Sequence, residues 1–277
     1  MTTWTLSGFG DEIDPDPIIQ LSVLQALGAQ HIEVRSAWGT NVVDMTDEQI
    51  DQLAKLIDER EMAVSAVASP IGKVDVFSDP DAELARLRRA VTVAHRLNTS
   101  YIRIFSFYRP DGVPVDAIRN DVLRRMRVFA DLAEQERLIL LHENENAIYG
   151  DVPERVLDIV VSVGSPALRL AWDSANFVQV GVRPFTDGYA LLRPYLEYLQ
   201  VKDAVAATGT VVSAGNGDGE LLATLTALRD DGYAGFASLE PHLARAHDLG
   251  GFSGPSAFGR AARTFAALTN SIGVRTA

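Results

Sequence analysis

Residues Leu138–Glu145 read LILLHENE. Four apolar residues directly after the polar run Ala133–Arg137 fit a strand buried on both faces, which belongs in a parallel sheet covered by helices. The chain then turns abruptly polar at His142, Glu143, Asn144 and Glu145. Three later stretches share this design: LRLAWDSANF (168–177) runs into Asp173, YLQVKD (198–203) into Gln200, Lys202 and Asp203, and GFASLEPH (235–242) into Glu240 and His242. Polar or acidic ends on successive parallel strands are where an α/β protein keeps its chemistry.

Working outward, strand-like and helix-like segments alternate every 25–40 residues or so, roughly the repeat of a strand-helix unit. Earlier strands read at 4–9, 31–35, 62–68 and 100–107 (SYIRIFSF). The first helix is expected over about 15–27, with Asp14 as N-cap, Pro15 leading and Gly28 as its stop. Thr46 and Gln49 make a T-x-x-Q helix start, and Asp79-Pro80 opens another helix. Further helical stretches lie at 116–136, 153–163, 185–196, 220–230 and 255–271, with Pro194 expected to kink or end its own.

Eight such units without a composition break predict an α/β fold, one (β/α)8 TIM barrel forming a single domain over 1–277. The length suits that fold, whose typical size is ~250 residues. An open doubly wound sheet is the alternative, but no G-x-G-x-x-G follows the first strand. The glycine-rich stretch AGNGDG (214–219) lacks the Lys-Ser/Thr ending of a phosphate-binding loop and reads as a turn lining the site or simply a loop.

The formal charge is −12, with 37 acidic against 25 basic residues, and hydrophobic residues make up 47%. Without a basic stripe, nucleic acid is a poor partner, because phosphate contacts need clustered Lys and Arg. The densest basic patches, 86–89 and 124–127, fall in helical patterns and read as solvated faces. No stretch approaches the ~20 apolar residues of a membrane span, and the start MTTWTLSGFGDE lacks the basic and apolar regions of a signal peptide. There are no cysteines, so disulfides and thiolate metal sites are excluded. A cytoplasmic location is expected.

Residues two apart in a strand face the same side. Glu143 therefore shares a face with Leu141 and Ile139, Asp173 with Ala171, Gln200 with Lys202, and Glu240 with Ser238. In a barrel these ends converge above the core. Three carboxylates together call for a neutralising cation. Oxygen-rich ligation with a neutral amide suits Mg²⁺ or Mn²⁺ more than Zn²⁺.

The sequence resembles the xylose isomerase-like TIM barrels, the sugar phosphate isomerase/epimerase group that includes tagatose epimerase-like enzymes, inosose dehydratases and endonuclease IV-like proteins. The resemblance spans nearly the whole chain: Asp11-Glu12, HENENAIYGD (142–151), DSANF (173–177), VKDA (201–204) and SLEPH (238–242). It implies one divalent metal ion (Mn, Mg, Co or Zn, with Mn or Mg favoured) on Glu143, Asp173, position 200 and Glu240. Position 200 departs from the family pattern H-x-K-D by carrying Gln200. Its carbonyl oxygen can ligate, though more weakly than imidazole toward transition metals. The endonuclease IV branch needs several histidine ligands for three zinc ions, and with five histidines in the chain the DNA-repair reading is excluded.

The resemblance further implies an isomerase or epimerase of a sugar, sugar phosphate or keto-polyol. The metal would chelate a carbonyl and an adjacent hydroxyl, acidify the α C–H and hold an enediolate. Glu143 and Glu240 would remove and return the proton. Departure of a β-hydroxyl at the same site would make it an inosose dehydratase-like lyase. A barrel that binds carbohydrate without turnover is the reading from another class.

Around the acids, Lys202 is expected to pair with a substrate oxygen or phosphate, Asn176 to bond a hydroxyl, and Glu33 or Arg35 to close the site from the second strand. His242 is a site candidate able to stand in for the absent imidazole. Glu145 is either a loop charge or a substrate contact. His142 points away from Glu143, with a structural hydrogen-bonding role and a functional one both open. His31 and His95 read as structural. Trp38 and Trp172 read as packing, Trp38 being the better sugar platform. The partner is a small sugar-like molecule, whose identity the loops 37–44, 69–78 and 109–114 do not specify; homo-oligomerisation stays open.

Overall fold

The structure is a computed structural model describing residues 2–244 and 250–277. Eight strands form the sheet: β1 (Thr2–Gly8), β2 (His31–Val34), β3 (Ala63–Ala68), β4 (Tyr101–Ile104), β5 (Ile139–Glu143), β6 (Leu168–Asp173), β7 (Leu196–Val201) and β8 (Phe236–Leu239). They pair in parallel in the order β2 to β8 and then β1. A parallel bridge between Phe9 and Glu33 joins the ends of β1 and β2, so the sheet closes on itself as a (β/α)8 barrel. A ninth strand, β9 (Val274–Thr276), adds to the start of β1.

The covering helices are α1 (Pro17–Ala26), α2 (Asp47–Asp58), α3 (Pro80–Arg96), α4 (Val115–Glu136), α5 (Pro153–Val163), a short α6 (Ser174–Gln179), α7 (Leu221–Asp230) and α8 (Gly254–Ser271). Local chemistry explains their starts. Thr46 and Gln49 form the expected reciprocal capping box on α2, and Asp79 caps α3 ahead of Pro80. The first helix begins two residues later than the sequence reading placed it. In Asp14-Pro15-Asp16-Pro17 it is Asp16 that caps and Pro17 that leads, while Asp14 accepts from the Asp16 amide at 2.8 Å. A residue before proline is pushed toward extended backbone, which suits a cap, and both aspartates meet that condition.

The stretch 184–195 is broken into successive π, α and 3₁₀ turns, and Pro194 sits in the last of these, ending the helical run as expected. Among the described residues no helix is long and apolar enough to cross a membrane.

Alternation along the strands builds two apolar layers. One face packs outward against the helices, as with Ile32, Ile102, Leu140, Leu170 and Leu199. The other fills the barrel interior with Ala66, Leu141, Ala171 and Tyr198, backed by Tyr101, Ile139 and Phe236. This inner plug is what lifts Glu143 and Asp173, one pleat further along, to the top of the barrel. Truncating Leu141 to Ala would cost about 2–5 kcal/mol by the usual cavity penalty.

His142 belongs to the outer layer. Its ring is fully buried, and neither nitrogen has a hydrogen-bond partner among the described residues. It packs against Gly150, where an added Cβ would lie 2.5 Å from the His142 Cε1 atom. Trp172 is buried, its indole N–H donating to Ser174 Oγ at 2.9 Å, and Trp38 packs half-buried on the core, so both serve packing.

Candidate active site

The strand ends bring the expected acids together. Ligand oxygens of Glu143 (β5), Asp173 (β6) and Glu240 (after β8) lie within 4.8 Å of one another, and all three residues are buried. Each is fixed by neighbours. Glu143 Oε2 accepts from Arg103 at 2.7 Å and Oε1 from the Asn176 amide at 3.0 Å. Asp173 Oδ1 accepts from the Asn176 backbone N–H at 2.9 Å and so caps α6. Asn144 locks β5 to β6, its side chain accepting from the Asp173 N–H and donating to the Asp173 carbonyl. Glu240 takes Arg35 at 3.0 Å and Lys202 at 3.2 Å.

Lys202 stands between two acids, with Nζ also 2.7 Å from Asp173 Oδ2. Gln200 sits beside Asp173 in strand register and is fully buried. Its Nε2 faces Glu33 Oε1 at 3.5 Å, while its carbonyl oxygen has no hydrogen-bond partner among the described residues. Glu33 lies lower in the barrel than the acids and accepts from Tyr198 OH at 2.9 Å. His242 does not join Glu143 and Asp173. Its ring nitrogen lies 3.0 Å from Glu12 and 3.2 Å from Glu240, a separate group on the far side of Glu240. Glu145 meets Lys73 at 2.9 Å.

The electrostatics are those of a crowded acidic centre. Burial pushes the Asp173 carboxyl up to about 7; Lys202 opposes this, and Glu143 and Glu240 add to it. Burial likewise raises Glu33 to about 7. Burial would raise Glu240 too, but Lys202, His242 and Arg35 outweigh it and hold this carboxyl well below the usual range. His242, despite desolvation, is pushed up to about 9 by Glu240 and Glu12.

A divalent cation fits this donor set. Gln200 offers a buried carbonyl oxygen with no donor, next to three carboxylates, and a carboxyl raised to about 7 beside a charged lysine marks a centre short of positive charge. Four hard oxygen donors suit Mg²⁺ or Mn²⁺.

Several members of the site escaped the sequence reading. Arg103 shares the inward face of β4 with Tyr101, and an arginine inside the apolar run SYIRIF was the signal for it. Lys73 comes from a loop without a motif, and the polar end of LILLHENE gives no partner for Asn144. The AGNGDG loop turns out to wrap a carboxylate. Amides of Gly215 and Gly217 donate to Asp203 Oδ2, and those of Gly219 and Ala204 to Oδ1. That fixes the end of β7, from which Lys202 projects.

Residues 21–265 match the xylose isomerase-like TIM barrel family, and the chain belongs to it. It is 27% identical over 232 residues to a 2-epi-5-epi-valiolone 7-phosphate 2-epimerase of an Actinoplanes species, covering 83% of this chain and 81% of that protein. Among solved structures it resembles a D-tagatose 3-epimerase-like protein (TM-score 0.80, 16% identity, covering 97% of this chain and 98% of that one). It also resembles a xylose isomerase-like TIM barrel protein from Mycobacterium smegmatis in complex with magnesium (TM-score 0.71, 16% identity, 97% of each chain). The chain thus carries the barrel of its family, and an epimerase is among its relatives.

Proposed function

We propose that this barrel is a divalent-cation-dependent isomerase or epimerase of a sugar, sugar phosphate or keto-polyol, moving a proton at the carbon next to a carbonyl. The observation that carries the reading is the convergence of Glu143, Asp173 and Glu240 within 4.8 Å in a buried site beside the unpartnered Gln200 oxygen. One continuous sheet running from β1 to β9 supports treating 1–277 as a single domain.

Glu143, Asp173, Gln200 and Glu240 would hold the cation. When bound, it would polarise the substrate carbonyl and acidify the neighbouring C–H. Glu240, held ionised by Lys202, His242 and Arg35, would take that proton once the cation has made the C–H acidic enough for so weak a base. Glu143 is aimed by Arg103 on one oxygen and Asn176 on the other; carrying a proton taken up from solvent, it would deliver that proton to the substrate carbon, while Glu240 releases to solvent the one it removed. Lys202 supplies an N–H to the oxygen on which charge develops. The epimerase activity named for the Actinoplanes relative is in keeping with this chemistry.

The test is solvent deuterium exchange into candidate ketoses and inososes, followed by NMR, with metal content measured in parallel. Deuterium at the α-carbon, lost on chelation and in Glu143→Gln, is the expected result. Loss of water from the substrate would put the protein with the dehydratases, and binding without exchange or metal requirement would leave a carbohydrate-binding barrel.

A further inference from the structure

Three cations gather on the β1–β4 side of the barrel top, together with Asp11, which pairs with Arg35. The wall opposite the acids is a stack in which cations and rings alternate: Arg35 lies 4.8 Å from the Phe9 ring centre, and Arg103 lies 5.6 Å from Phe9 and 4.6 Å from Phe105. Lys73 completes it, 4.3 Å from Phe105. These residues come from β4, from the ends that follow β1 and β2 and from the loops after β3 and β4, whereas Glu143, Glu145, Asp173 and Glu240 come from β5, β6 and the ends that follow β5 and β8. Each cation reaches across to one acid of the other wall, Arg35 to Glu240, Arg103 to Glu143 and Lys73 to Glu145, and Arg35 is also held on its own side by Asp11 at 2.8 Å. Between the walls lies a cavity of about 90 Å³ lined by all three cations.

We propose that this wall binds an anionic group of the substrate, a carboxylate or a phosphate, so that the protein acts on a charged polyol rather than a neutral sugar. At one point, the divalent cation, this anion site rests on the proposed function. Once Glu143 shares its charge with that ion, Arg103 is no longer fully compensated, whereas Arg35 keeps Asp11. The rings beside them keep water off both. An anion across the cavity restores the balance.

Donors for it are present without breaking any bond. Arg103 Nε is buried and has no acceptor among the described residues. Lys73 Nζ commits one N–H to Glu145, and the Asn41 side chain accepts from Val43 N–H while its amide N–H groups have no acceptor among the described residues. A neutral hydroxyl would leave that charge unanswered. The chain's overall charge of −12 repels anions, which makes a local cationic wall the more necessary; at ordinary ionic strength that repulsion is screened beyond ~10 Å.

The test compares three matched six-carbon probes by calorimetry: glucose, gluconate and glucose 6-phosphate, each with magnesium chloride and again with chelator. Either or both charged probes should bind at least about tenfold more tightly than glucose, the step a charge-assisted hydrogen bond gives. Which one prevails tells a carboxylate site from a phosphate site. Lys73→Met, at a partly exposed position that does not endanger folding, should erase most of the preference, and Arg103→Gln the rest.

Glucose binding as tightly as the charged probes overturns the proposal. So does a failure of all three accompanied by an unmoved Tm in inorganic phosphate and in acetate. Charged probes that bind equally with and without magnesium would keep the anion site while removing its link to the cation, and thus separate this inference from the isomerase reading.

Discussion

Lys202 Nζ lies 2.7 Å from Asp173 Oδ2, and both side chains are closed to solvent. An ammonium so placed neutralises acids that the barrel would otherwise hide at a high cost. Breaking one partner of a buried pair leaves the other uncompensated, typically 3–5 kcal/mol. Lys202→Met is therefore expected to lower Tm markedly in chelator. Magnesium or manganese should restore much of the loss, and do more for the variant than for the parent protein. Thermal unfolding with and without each metal checks this; a variant as stable as the parent in chelator would refute it.

Glu143→Gln keeps the shape and the Asn176 contact but removes the charge facing Arg103. We expect at least ~10²-fold loss of α-proton exchange, the usual scale for a missing acid-base group, with secondary structure unchanged by circular dichroism. Unchanged exchange would remove Glu143 from the chemistry.

Acid stability should depend on His142. Burial lowers its pKa to about 3 in the folded protein, against 6.5 for an unperturbed ring. Between those values the unfolded chain binds the extra proton, so stability is complete above pH 6.5 and falls as pH drops toward 3. The full effect is on the order of 5 kcal/mol. Urea unfolding at pH 7 and pH 4 should show a smaller loss in His142→Leu than in the parent; an identical loss in both would contradict this.

Asp203→Asn replaces one acceptor oxygen by an amide that faces N–H donors. Four backbone amides close on that carboxylate, and leaving some unpaired costs about 1–3 kcal/mol. Hydrogen exchange should accelerate over 213–219 before it does in α7, and turnover should fall because Lys202 projects from the same strand end. Exchange unaltered over that loop would count against the cradle.

Much of this was legible in the chain because it depends on period. Strand runs such as LILLHE and the switch from apolar to polar at Glu143, Asp173, Gln200 and Glu240 follow from a two-residue alternation that tertiary packing preserves. What alternation cannot give is which partner faces which across the barrel. Arg103 and Glu143 are 40 residues apart, and Arg35 and Glu240 are 205 apart. Closing the sheet makes them neighbours, and nothing local records it. The Asp14/Asp16 misplacement has the opposite origin: local signals were present twice, and packing of α1 chose between them. His142 shows a third limit. A histidine in a strand suggests hydrogen bonds, yet this ring behaves as an apolar filler, a role set by the missing Cβ of Gly150.

The seam between β1 and β2 bears on how the chain reaches its native state. Through the Phe9–Glu33 bridge β1 touches β2, but its ladders are with β8 and β9, more than 220 residues later in sequence. Pairings so distant are slow, since a very long loop must close before they form. On the ribosome the first strand waits, edge exposed, while seven others are made. The barrel is thus assembled from the middle outward, and its earliest-made strand is among the last to find its place.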